Sequence, residues 1–183
     1  GKQQVDVIYR RLDDVYLDPL FFMPTSTLGV PGLMSAYLHH NVVIANAPGT
    51  GVADDKSIYP YVDQMINYYL GEQAILKNVP TYQCRDHDAL DYVIQNLDQL
   101  VVKEAQGSGG YGMLIGPQAT SQEIDAFRIK LLANPHHYIA QPTLALSVAP
   151  TMSDFGIAER HIDLRPFVLS SPYRTEIVPG GLT

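Results

Sequence analysis

The stretch from Leu100 to Pro117, LVVKEAQGSGGYGMLIGP, constrains the fold more than any other part of the chain. An apolar run ends in Lys103, and a glycine-rich turn from Gly107 to Gly112 follows. A second apolar run, Met113 to Ile115, resumes before Gly116-Pro117 breaks the pattern. This order predicts strand, flexible loop, strand, with the lysine aimed at whatever the loop covers. Glycines without a Cβ reach positive φ and let backbone N–H groups approach an anion closely. With Lys103 as a point charge beside the loop, Gly107, Ser108, Gly109, Gly110 and Gly112 form a candidate phosphate clamp. A plain hairpin reads from the same residues, since Ser-Gly and Gly-Gly are ordinary turn dipeptides. It is not a Walker loop, because no Gly-Lys-Ser/Thr follows the glycines, and it leads into a strand rather than a helix.

Composition narrows the alternatives. At 183 residues, the chain is long enough for one sizeable domain or two small ones. Apolar residues make up 46% and charged residues 17%, which suits a soluble, well-packed globule. The formal charge of −7 argues against a general nucleic-acid binder, which carries a basic footprint. No apolar run approaches the roughly 18 to 20 residues that span a bilayer, so no membrane partner is expected, and no signal peptide is visible. Cys84 is the sole cysteine, which excludes an internal disulfide, favours a reducing, cytoplasmic setting and reads as a small packed side chain. The chain opens GKQQ without a methionine and stops at VPGGLT directly after a strand-like run, so both ends read as cuts within a longer protein.

Taken in order, Val5 to Tyr9 is a short β-branched strand that runs into Arg10, Arg11, Asp13 and Asp14. Charges at the end of an apolar strand sit where open α/β sheets bind ligands, and paired arginines offer planar forks to a carboxylate or phosphate. A solvated loop with local ion pairs is the plainer alternative. Leu33 to His40 reads as a helix and Val42 to Ala45 as a strand. The loop NAPGTGVADDK then leads into a helix predicted over Ser57 to Leu70, with Lys56 at its start as a ligand-facing charge or a solvated one. Next come a strand at Thr81 to Cys84, a helix over Asp86 to Leu97, and a strand at Leu100 to Lys103. Beyond the glycine loop follow a strand at Gly112 to Ile115, a helix over Ser121 to Leu132, and a strand at Tyr138 to Gln141. Thr120 with Glu123 supplies a capping box, and Asn134-Pro135 stops the second of these helices. The result is an α+β unit around the glycine hairpin. His39 and His40 have no further ligand recurring at helical spacing and are not expected to hold a metal, while His136 and His137 lie in a turn without partners and read as surface residues. After an extended stretch at Leu144 to Val148, RHIDLRPFVLS alternates so that His161, Asp163 and Arg165 share one face of a half-buried strand.

Three pieces line up in order: DDK before a helix, VVK before a glycine loop, and YIAQP closing the α+β unit. Over roughly Asp54 to Arg165 this order resembles the ATP-grasp superfamily. The wording VIYRRLDD, GTGVADDK, GSGGYGM and AERHIDLRPFV is closer still to the circularly permuted ATP-grasp proteins of bacteria, relatives of glutathionylspermidine synthetase and eukaryotic-type glutathione synthetase. The resemblance implies an α/β (α+β) fold with a small α+β lid subdomain and flanking parallel or mixed sheet segments. It divides the chain into a Rossmann-like segment at 1–78, a lid at 79–142 and the start of a second ATP-grasp subdomain at 143–183. It also implies that Lys56 and Lys103 contact ATP phosphates under the loop from Gly107 to Gly112, that Gln141 lies along adenine, and that Arg165 faces the transferred phosphoryl group. Arg10 or Arg11, with Asp13, would meet a substrate carboxylate. The implied activity is ATP-dependent joining of a carboxylate and an amine, on small-molecule or peptide substrates, through an acyl phosphate. A nucleotide-binding regulatory module and an ATP-grasp phosphotransferase are the rival readings. Mg²⁺ would be held by carboxylate and asparagine ligands upstream of residue 1, since no E-x-N pair stands here, and the segment alone is expected to be inactive.

Overall fold

β-Branched residues place the first two strands. In the computed structural model, which describes residues 3–107, 110 and 112–182, β1 (Val7–Tyr9) and β2 (Val43–Ala45) pair in parallel, Val7 with Val43 and Tyr9 with Ala45. A parallel pair needs a crossover, and α1 (Leu33–Leu38) lies within it. The crossover is held by Asp18, fully buried, whose carboxylate accepts from the N–H groups of Leu20 (2.9 Å), Gly32 (3.2 Å) and Met34 (2.9 Å). Burial pushes this carboxyl up, but the Met34, Leu20 and Gly32 donors outweigh it and hold it below its usual range. The helix expected from Ser57 starts late: a single 3-10 turn at Tyr59–Tyr61 precedes α2 (Val62–Leu70). Pro60 lacks the N–H of a helix interior and is tolerated only in such an opening turn, so Lys56 stands well ahead of the α-helix rather than at its N-terminus.

The glycine stretch sits in a four-stranded antiparallel sheet. Its strands are β3 (Tyr82–Gln83), β4 (Leu100–Glu104), β5 (Leu114–Ile115) and β6 (Tyr138–Pro142), in the order β3-β6-β4-β5. Helix α3 (His87–Gln95) joins β3 to β4, and α4 (Ser121–Ala133) joins β5 to β6. Period-two alternation aims Leu100, Val102 and Ala140 at one face, where they form a core with Cys84, Val93, Leu97, Leu114, Phe127 and Leu131. The opposite face carries Lys103. The capping box is present at the start of α4: Thr120 Oγ1 accepts from the Glu123 N–H, and Glu123 Oε2 accepts from the Thr120 N–H at 2.8 Å. Thr120→Ala removes this cap and is expected to lower stability by about 1 kcal/mol in urea unfolding.

The chain divides into two compact units, Gly1–Pro142 and Thr143–Thr183. In the second, β7 (Ser147–Ser153) and β8 (Gly156–Ile162) form one antiparallel pair, and β9 (Arg165–Ser170) and β10 (Thr175–Leu182) another. The single strand expected through His161, Asp163 and Arg165 is therefore broken between Ile162 and Arg165. Alternation fixes which face a residue occupies, not which neighbour a strand pairs with, and here the two halves pair with different strands. Nor is the run half-buried: Leu164 is 68% exposed. Among the described residues, no helix is long and apolar enough to cross a membrane.

Candidate functional site

Register places the candidate residues before any side-chain contact is considered. Across the sheet, Gln83 pairs with Ile139 and Ile139 with Lys103, so these residues form one row; Gln141 pairs with Val101 in the next. Lys103 and Gln141 are thus diagonal neighbours on one face, within reach of long side chains. The Lys103 ammonium donates to Gln141 Oε1 at 3.1 Å, and Gln141 Nε2 donates to Thr81 Oγ1 at 2.9 Å. Both ends of the Gln141 amide are thereby used, and its side chain orients Lys103. In the same row, Gln83 is 7% exposed, and its Oε1 has no hydrogen-bond partner among the described residues. A buried amide acceptor without a donor is costly, which points to a ligand donor on this face.

Lys56 reaches the same region from a different part of the chain. Its backbone N–H donates to Ala105 O at 2.9 Å, just past the end of β4, and its ammonium donates to Gly107 O. Asp55 strengthens the junction: its Oδ1 accepts from Ser57 N–H (2.8 Å) and Oγ (2.6 Å), and its Oδ2 accepts from Gln106 Nε2 (3.3 Å). The Ser57 donors, above all, hold the Asp55 carboxyl below its usual range. Burial, followed by the nearby Lys56 charge, pushes the Lys103 ammonium below its usual range. The Lys56 charge is near enough to disfavour the charged form of Lys103. That arrangement is poor for stability and good for receiving a polyanion.

The glycines have a specific task beside these lysines. Gly112 has φ +66°, and a Cβ there would lie 2.3 Å from Glu104 Oε1; a Cβ on Gly107 would lie 2.9 Å from the Glu104 Cβ. The loop thus makes room for the carboxylate of the residue after Lys103. Gly110 is also in the left-handed region, while Ser108 and Gly109 lie outside the described residues. A cavity of about 540 Å³ borders Gly107, lined by Asp55, Ser57, Glu104, Gln106 and His137 among others.

Arg10, Arg11 and Asp13 belong to a separate cavity of about 320 Å³ beyond the carboxyl ends of β1 and β2. Arg10 is fully committed as a brace: Nε donates to Asn46 O (2.7 Å), Nη2 to Ala47 O (2.9 Å) and Asp14 Oδ1 (2.5 Å), and Nη1 to Leu12 O. Its guanidinium ties the end of β1 to the end of β2. Arg11, by contrast, is exposed and makes no hydrogen bond or ion pair among the described residues. Arg165 lies in the second unit, at the start of β9, where its Nε pairs with Asp163 Oδ2 at 2.9 Å on an exposed surface. Sequence reading missed Thr81 and Gln83, although their spacing of two on a strand already puts them on one face, and missed Glu104 altogether.

The chain's mixed α/β architecture with several small sheets is consistent with an ATP-grasp-type fold. The whole chain, residues 1–183, matches the family described as circularly permuted ATP-grasp type 2, and it belongs to that family. Among curated relatives, protein sll0335 of Synechocystis is 54% identical over all of this chain and 38% of its own length. Protein Rv2411c of Mycobacterium tuberculosis is 46% identical over all of this chain and 33% of its own length. A Frankia alni protein named "Putative glutamate--cysteine ligase 2-3" is 44% identical over all of this chain and 21% of its own length. The chain therefore spans well under half of the relatives it matches.

Proposed function

We propose that this chain supplies the nucleotide-gripping part of a cytoplasmic ATP-dependent carboxylate–amine ligase. The observation that carries this reading is that Lys56 is held against the glycine loop through Gly107 O while its charge, after burial, disfavours the charged form of Lys103 on the strand leading into that loop. The residues fit ATP: two ammonium groups suit a phosphate chain, and the orphaned Gln83 acceptor on the Lys103 face suits an N–H donor such as a purine amine. Gln141 acts as a positioning residue for Lys103. Among the described residues, no group of His, Cys, Asp and Glu could hold a metal ion, so no step is assigned to Mg²⁺ within this chain.

In this mechanism a substrate carboxylate oxygen attacks the γ-phosphorus of ATP, and ADP leaves. An amine nitrogen then attacks the acyl-phosphate carbon, inorganic phosphate departs, and the nitrogen gives up its proton to solvent. Charge builds on phosphoryl oxygens in both steps, so fixed cations and backbone donors contribute more than acid–base groups. Lys56 and Lys103 supply that charge. The match to the circularly permuted ATP-grasp family, and the likeness to a Frankia protein named as a putative glutamate--cysteine ligase, support a ligase reading. The test is phosphate release by the whole protein from ATP and Mg²⁺ with a metabolite pool, followed by mass spectrometry. Release that requires both an acid and an amine supports the ligase. Binding without turnover would instead identify a regulatory module, and phosphate retained on a product a phosphotransferase.

A further inference from the structure

Strands β1 and β2 form a two-stranded parallel sheet, and among the described residues neither pairs with a third strand. Its two faces are unequal. Alternation puts Ile8 and its partner Ile44 on one face, where Ile44 is 2% exposed. The other face carries Val7 and Tyr9 from β1 and Val43 from β2, which are 60%, 72% and 60% exposed. A sheet with one wet face alternates apolar and polar residues, whereas parallel strands are apolar on both faces because crossover helices cover both. This pair is apolar on both faces and covered on one.

We infer that the face formed by Val7, Tyr9 and Val43 is a docking surface for an amphipathic helix of the same polypeptide, supplied by chain outside residues 1–183. The length of the relatives supports an occupant from the same molecule. The matched region is 38% of the Synechocystis protein and 33% of the Mycobacterium tuberculosis one, so most of each chain lies outside it. The size of the face selects among occupants. Two strands of three residues at ordinary spacings present a patch about 10 Å on a side. One α-helix, about 10 Å across, covers such a patch. A stable interface between two copies takes about 800 Å² from each, several times what the patch offers. A further strand would extend an edge of the sheet and leave this face open, but a parallel strand arrives by a crossover that is usually helical. The inference concerns how the strand pair is completed and stands apart from the ligase reading.

The test uses the whole protein. Val7, Tyr9 and Val43 are replaced in turn by the photo-crosslinker p-benzoylphenylalanine, and the irradiated protein is digested and mapped by mass spectrometry. The expected result is links to one segment of the same molecule outside residues 1–183, at target positions three, four or seven apart, the spacings of one helix face. A covalent dimer, links confined to residues 1–183, targets at other spacings, or no link at all would each overturn the inference. Because the bulky crosslinker can itself disturb packing, a second measurement is made on the unaltered whole protein. In hydroxyl-radical footprinting, Tyr9 is expected to oxidise about tenfold more slowly in the folded protein than in the peptide that carries it, since a close-packed contact excludes water and radical alike. A smaller slowing means that the ring stands in solvent, and the docked helix is then ruled out.

Discussion

Lys103→Met is expected to abolish Mg-ATP binding at working concentrations and to cut turnover by about 10² to 10³, the effect of losing a preorganised charge at a developing anion. The unliganded protein should barely notice. In the wild type, burial and then Lys56 disfavour the charged ammonium. Methionine removes that penalty but leaves Gln141 Oε1 without its donor. These changes oppose each other, so the shift in unfolding free energy should stay within about 1 kcal/mol. The sign of the pH dependence follows. A lysine whose folded pKa is depressed costs stability while it is charged. The deficit shrinks as pH rises from the depressed value toward the unfolded one. The methionine variant should lack that alkaline gain. Calorimetric titration with Mg-ATP, paired with urea unfolding at two pH values, checks both halves. An unchanged ATP affinity would remove the lysine pair from the site.

The second large effect concerns the fold. Gly116→Ala is expected to destabilise the protein by about 3 kcal/mol or more, at the upper end of overpacking costs, because rigid backbone cannot yield as a side chain can. A Cβ at this position would stand 1.9 Å from Leu97 O and 2.8 Å from Leu100 O. The clash lies where the end of β5 crosses the turn between α3 and β4, so relief requires moving the strand that carries Lys103. Thermal unfolding should fall by about 10 °C. Gly71→Ala is the matched control: Gly71 has φ +67°, and a Cβ there would meet nothing within 4 Å. Only the backbone strain of a left-handed alanine, about 1 kcal/mol, is then at stake. Equal losses in the two variants would show that the close approach at Gly116 is not a constraint.

The α+β unit was legible in the sequence because its local signals agreed. Thr120 and Glu123 announced a helix start, Asn134-Pro135 its end, and the apolar run ending in Lys103 announced the strand before the glycine loop. The lysine pair was reachable only through resemblance to a known family. Nothing local to Lys56 says that its main chain docks on Ala105, because the partner lies far along the sequence. Adjacent Arg10 and Arg11 were indistinguishable for a similar reason: their roles depend on Asn46 and Ala47, which arrive with a different strand. The break at Asp163-Leu164 was hidden by an alternation that continues across it. Pro60 was a local cue, outweighed by an otherwise helical period.

Cys84 carries a practical consequence. It is the only cysteine of the sequence, it has no exposed surface in the helix-packed core, and burial pushes its thiol up to about 12. A thiolate is the reactive species, so at neutral pH this group is a poor target for maleimides and oxidants. The native chain is accordingly a silent background for site-specific labelling. A cysteine introduced at exposed Leu76 or Phe155 would take a fluorophore without first deleting the endogenous one, and without disturbing the packing that Cys84 completes.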